Sequence, residues 1–183
     1  AYKRVFVCGH APGQHNPQCA RKDLSHLARL AYRRPVTEAE VNKLLRLVSL
    51  AQHNGLAFDA SMRVGIEAIL VSPAFLYRLE RDPNPGDPSA IHPVSDLELA
   101  SRLSYFLWSS TPDNELLCLA EGHRLHSPDV LHAEVRRMLE DRKSEALVDN
   151  FAGQWLELRN LDSVQPDPDE FPEFDEQLRQ AMY

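Results

Sequence analysis

The chain has 183 residues, 43% of them hydrophobic and 26% charged, with a formal net charge of −7. That balance belongs to a globular protein with a buried core and excludes a disordered or fibrous one. No apolar run approaches the roughly 18 residues of a membrane span, and the opening AYKRVFVCGH lacks the long apolar region of a signal peptide, so no membrane-spanning element is expected.

Charge divides the chain in two. Residues 1–81 carry 12 Lys/Arg against 6 Asp/Glu, whereas residues 82–183 carry 8 against 21. The basic residues are scattered along amphipathic segments and form no dense stripe, so nucleic acid is not expected as a partner.

Helical apolar spacing runs through most of the chain. Leu24, Leu27, Ala28 and Ala31 mark a helix starting after Pro17, which Arg33-Arg34-Pro35 ends because the residue before a proline leaves the helical region. Thr37 and Glu40 form a capping box for a second helix, with Val41, Leu44, Leu45 and Val48 inward and Asn54-Gly55 as its stop. A third starts near Asp59 and is expected to bury Met62, Ile66, Ile69 and Leu70. Ser72-Pro73 then opens a short helical turn through Phe75, Leu76 and Leu79.

Residues 82–94, DPNPGDPSAIHPV, hold four prolines in thirteen positions, a density that no regular element survives. They make a linker between a first part, 1–81, and a second, 95–183. Beyond it Ser95 and Glu98 form another capping box, followed by Leu99, Leu103, Phe106 and Leu107, with Trp108 at the end. Thr111-Pro112 opens a short helix to Ala120, stopped at Gly122, and Ser127-Pro128 opens one through Val130, Leu131, Val135, Met138 and Leu139. A long helix is expected from about Lys143 to Arg159, burying Val148, Phe151, Ala152 and Trp155. The stretch from Asp162 to Glu176 has seven carboxylates and no base, and reads as a solvated connector. A last helix begins at Asp175 and is expected to continue past Tyr183. The only alternating run is YKRVFV at the start, so the fold class is all-α.

Four side chains in the loop CGHAPGQHNPQC form the densest group of soft ligands: Cys8, His10, His15 and Cys19. They offer a tetrahedral zinc site, although the spacing matches none of the common zinc knuckles, or a loop closed by the two cysteines. Cys118, among leucines, reads as a buried free thiol. His123, His126 and His132 border a helix start and read as surface histidines. Asp113 and Glu115, in the first turn after Pro112, read as complements to the helix dipole before they read as a catalytic pair. There is no C-x-x-C-H haem attachment site, no nucleophile elbow, no H-E-x-x-H and no phosphate loop, so no catalytic residue and no cofactor is assigned within this chain.

Two further expectations concern packing. Arg102 lies beside Leu103 and three positions from Leu99, so it is expected to be buried and paired, with Asp113 as first partner. Phe75, Leu76, Phe106 and Trp108 flank the linker and are expected to meet, joining the two parts into one body.

From 100 to 117 the chain reads ASRLSYFLWSSTPDNELL. Further motifs occur in AYRRPVT (31–37), SPAFLYR (72–78), RML (137–139), FAGQWL (151–156) and FPEFD (171–175). With these motifs in this order, the sequence resembles the tandem domains of unknown function fifteen-ninety-five and fifteen-ninety-two of planctomycete-type exported proteins that carry c-type cytochrome modules. The first domain would cover 1–81 and the second, cut short at its end, 95–183. The resemblance implies a periplasmic or otherwise extracytoplasmic location, haem c only in other modules of the full-length protein, and those modules, a cytochrome among them, as partners. An oxidising compartment in turn favours a Cys8–Cys19 disulfide over zinc. The expected role is a non-catalytic scaffold, with part of a substrate pocket for an imported polymer or carbohydrate as the alternative. Arg33, Arg34, Arg78, Glu80, Arg102 and Asp113 discriminate: pairing within one seam favours a scaffold, convergence on an open cleft a pocket.

Overall fold

The computed structural model describes residues 5–11, 13–78, 80, 82–87, 89–161 and 163–182. Residues 2–4 of the alternating run, Pro12 of the loop, Leu79, Pro88, Asp162 and Tyr183 lie outside the described residues. Among those described there is no strand, and the fold is all-α. Of the YKRVFV run, the described residues Val5, Phe6 and Val7 form no strand, Val5 being helical and the other two irregular.

The first part consists of α1 (Pro17–Tyr32), α2 (Glu38–His53), α3 (Phe58–Leu70) and the single turn α4 (Pro73–Leu76). Local chemistry sets their ends. Asn16 caps α1 by accepting from the Cys19 N–H, Thr37 and Glu40 close the box on α2, and Ser72 caps α4 through the Ala74 N–H. Arg33 ends α1 in the left-handed region at φ 58°, and Gly55 turns the chain after α2 at φ 87°.

Ala20, Leu24, Ala28, Tyr32, Leu44, Val48, Met62 and Ile69 make the core between these helices. The buried face of α3 is rotated from the expected one. Ser61 and Gly65 face inward with Met62 and Ile69, while Leu70 is exposed. Gly65 sits at the close approach: a Cβ there would stand 3.0 Å from both Leu24 Cδ2 and Val48 Cγ2, so any larger residue would oblige those side chains to shift where α3 meets α1 and α2.

After the irregular linker come α5 (Asp96–Trp108), α6 (Asn114–Glu121) and α7 (Pro128–Glu140). Ala100, Leu107, Trp108, Leu116, Ala120, Leu125 and Met138 form a second core, into which the Trp108 indole N–H donates to the Met138 carbonyl at 2.8 Å.

The expected long helix from 143 to 159 is broken up. The chain passes through a 3₁₀ turn at Arg142–Ser144, an α-turn at Glu145–Leu147, a π turn at Val148–Ala152, another α-turn at Gly153–Trp155, and a 3₁₀ turn at Leu158–Asn160. Its apolar stripe is not buried: Val148, Phe151 and Trp155 are 58%, 54% and 74% exposed. Phe151 instead packs on Phe106 and Trp155, with ring centroids 6.2 and 6.0 Å apart. A final helix, α8 (Glu176–Ala181), is capped by Asp175.

The two parts form separate cores. The expected meeting of Phe75, Leu76, Phe106 and Trp108 does not occur: Trp108 is buried within the second core, while Phe106 and Leu76 are each 59% exposed. Polar side chains make the junction instead.

Candidate functional site

Four arginines and one tyrosine build that junction. Arg29, near the end of α1, forks onto the Glu121 carboxylate of α6 at 2.7 and 2.9 Å, and its Nη1 donates to Asn114 Oδ1 at 2.7 Å. Arg102 on α5 makes a second fork, to Glu80 at 2.7 and 2.5 Å. Between them Tyr105 of α5 lies under two guanidiniums, Arg78 at 4.5 Å and Arg33 at 5.9 Å from the ring centroid.

Arg33 is the buried member, only 5% exposed. Its guanidinium donates to the carbonyls of Ala31, Ala74, Phe75 and Tyr77 at 2.8–3.3 Å and to the Tyr105 hydroxyl at 3.4 Å. Three of those carbonyls belong to α4 and the residue after it, whose C-terminal oxygens have few other acceptor roles in so short a helix. The two terminal nitrogens of one planar guanidinium thus tie the ends of α1 and α4 to α5.

A cleft of about 900 Å³ opens along this seam, with Tyr32, Arg34, Tyr77, Arg78, Glu98 and Arg102 among its walls. Two of its arginines are held by carboxylates. Arg34 forks onto Glu40 at 2.7 and 3.1 Å, and that contact, together with the Thr37 cap and against the opposing effect of burial, holds the Glu40 carboxyl at about 2. Likewise the Arg102 fork holds Glu80 below the usual carboxylate range.

Arg102 and Asp113 do not pair. Arg102 is exposed and engages Glu80, because its position on α5 faces the end of the first part. Asp113 is the N-cap of α6, accepting from the Leu116 N–H at 2.9 Å, and binds Arg137 Nη1 at 2.8 Å. Burial alone would raise the Asp113 carboxyl, but Arg137 and the Leu116 N–H bring it below its ordinary value. Arg137 also forks onto Glu134, while Glu115 lies 3.7 Å away at the rim. Asp113 and Glu115 therefore serve the end of α6 and one arginine.

Cys118 is exposed, not buried, and lies 3.5 Å from Arg29 Nη2. His126 contacts Asp96, a buried carboxylate that also accepts the Leu125 N–H at 2.9 Å; His123 and His132 are exposed.

The second constellation lies at the start of the chain. Cys8 Sγ is 3.3 Å from His15 Nδ1 and Cys19 Sγ is 3.1 Å from His10 Nδ1. Among the described residues, Cys8, His15 and Cys19 are the group whose ligand atoms all lie within 4.8 Å of one another. Both cysteines are free thiols, so the expected Cys8–Cys19 bridge is not formed in the structure. Burial, with help from Cys19 and Asp23, and against the His10 backbone N–H, raises the Cys8 thiol above its ordinary value.

Asp23 anchors this loop. Fully buried on α1, it accepts the N–H groups of Val7 and Cys8 at 2.8 Å each. Sequence reasoning passed over Asp23, Arg29 and Tyr105, and took Arg33 only as one of six side chains that discriminate a scaffold from a pocket. The signal for Asp23 was a carboxylate inside the apolar stripe of Ala20, Leu24 and Ala28, and for Arg33 an arginine at a helix end.

With the two cores and the seam described, the comparisons with known proteins can be placed on them. Residues 19–80 match the family described as PSD5, protein of unknown function (DUF1595), and residues 94–183 match the one described as PSD4, protein of unknown function (DUF1592). The chain belongs to the DUF1595–DUF1592 tandem. The DUF1595 segment contains α1 from Cys19 onward, α2 to α4 and the first core; the DUF1592 segment contains α5 to α8 and the second. Residues 1–18 and 81–93 fall outside both. No curated protein and no solved structure gives a significant match. No helix among the described residues is long and apolar enough to cross a membrane.

Proposed function

We propose that this tandem is a non-catalytic helical scaffold that orients other domains, a c-type cytochrome module among them, within a larger extracytoplasmic redox protein. The observation that carries this reading is the seam. Arg29, Arg33, Arg34 and Arg102 each bind groups of the chain itself, and a cation already held by a carboxylate or by carbonyls has little left to offer a substrate. The exposed cluster of Phe106, Phe151 and Trp155 adds support, since contiguous exposed apolar surface marks interaction sites.

The cleft favours a second reading: part of a substrate pocket in a multidomain extracytoplasmic enzyme acting on an imported polymer or carbohydrate. Its volume of about 900 Å³ lies within the range of ligand sites.

Small-angle scattering and haem reduction rates of the full-length protein separate the two. For a scaffold, Phe151→Ser with Trp155→Ser enlarges the envelope and changes the reduction rate, while Tyr77→Ala in the cleft leaves both unchanged. A pocket gives the reverse: Tyr77→Ala abolishes turnover in a protein of unchanged shape.

A further inference from the structure

We propose that Cys8, His15 and Cys19, with His10 as the fourth ligand, form a tetrahedral binding site for a zinc ion that pins the N-terminal loop to α1. For Zn–S of about 2.3 Å and Zn–N of about 2.0 Å, a tetrahedral ion holds its sulfur and nitrogen ligands about 3.5 Å apart. The two S···N separations, 3.3 and 3.1 Å, are close to that value. Two thiolates and two imidazoles are a donor set that suits zinc.

The ligands are held in place before any ion arrives. His15 lies flat between two aromatic rings, with centroids 4.9 Å from Phe6 and 4.7 Å from Phe58, which fixes its plane and presents Nδ1 to Cys8. Asp23 clamps the Cys8 backbone through two N–H groups, and Cys19 sits in the rigid first turn of α1. His10 touches the group through Cys19. It is exposed and follows Gly9, whose φ of 88° turns the loop back.

The Cys19 sulfur also receives a backbone donor, the Asn16 N–H, which points to Sγ at 3.3 Å. N–H donors around a thiolate disperse its charge and orient it, the role that outer-shell partners play at metal sites. On loading, each thiol gives its proton to solvent as the sulfur–metal bond forms, so uptake releases acid and strengthens as pH rises.

Cobalt(II) titration of the reduced, metal-free chain tests this, since cobalt reports thiolate ligation and tetrahedral geometry by absorption. One equivalent is expected to produce a thiolate-to-cobalt charge-transfer band and intense visible bands, which one equivalent of zinc removes. Cys8→Ser should cut the charge-transfer intensity by about half, and Cys118→Ser should leave it unchanged. His10→Ala, at an exposed position that cannot unfold the core, should weaken cobalt binding at least tenfold, because losing even an outer-shell partner costs about 10–100-fold. Absence of the bands, equal bands in Cys8→Ser, or unaltered affinity in His10→Ala would overturn the site. So would chain purified in the presence of zinc whose Cys8 and Cys19 resist alkylation until a disulfide is reduced.

Discussion

Arg33 reaches from the end of α1 to Tyr105 on α5, placing a guanidinium nitrogen 3.4 Å from the phenol oxygen and the cation 5.9 Å from the ring centre. The same guanidinium holds three carbonyls at α4, so one side chain fixes the last element of the first part and the first helix of the second. Removing it would strand several buried acceptors at once. Arg33→Ala is expected to cost about 3 kcal/mol or more in urea unfolding. Arg33→Lys should recover less than half of that loss, since one ammonium cannot reproduce a planar fork.

Arg102 contrasts with Arg33. Although it makes a fork to Glu80, it is exposed, and water competes for both partners. Arg102→Ala should leave the melting temperature of the chain almost unchanged. A fall comparable to that of Arg33→Ala would show that the Glu80 contact holds the parts together.

Within the second part, Asp113 both caps α6 and neutralises Arg137. Asp113→Ala removes both, at about 1 kcal/mol for the cap and a further 1–2 kcal/mol for the stranded, partly buried arginine. Asp113→Asn keeps the cap and should recover about 1 kcal/mol. Chemical denaturation of the two variants measures the difference.

Acid should weaken the first part in a defined window. Glu40 is held down from 4.5 to about 2 in the folded chain, so the unfolded state binds its proton first as pH falls. The stability it contributes is fully present above about pH 4.5 and drains away between there and about pH 2. Glu40→Gln should flatten that part of the stability–pH curve. A slope unchanged by the substitution would show that the Arg34 fork does not persist in solution.

How much of this could be read from the sequence depends on the range of the interaction. Helix starts were legible because a cap is a contact over three residues: Thr37 with Glu40 and Ser95 with Glu98 form where expected. Side-chain partners were not. Arg102 has the neighbours of a buried residue along its own helix, but what it meets depends on where Glu80 lies, 22 positions earlier. The stripe of Val148, Phe151 and Trp155 has helical spacing, yet the π turn changes the pitch and the aromatics stay in solvent. At the N-terminal loop the sequence named all four ligands, and which of them converge is a property of the fold: Asp23 and the Phe6–His15–Phe58 stack hold Cys8 and His15 beside Cys19, while His10 reaches the group through Cys19 alone.

The central claim is that the two parts are one body held by the polar seam, and cutting the linker tests it most directly. A specific protease site replacing residues 83–87, which are irregular and exposed, should be accepted without loss of either core. After cleavage, the halves are expected to elute together from a sizing column at physiological salt and to melt in one transition. The same cut in a chain carrying Arg29→Ala and Tyr105→Ala should release two separate halves. Halves that part without those substitutions, or stay joined despite them, would contradict a body fastened by Arg29, Arg33 and Tyr105.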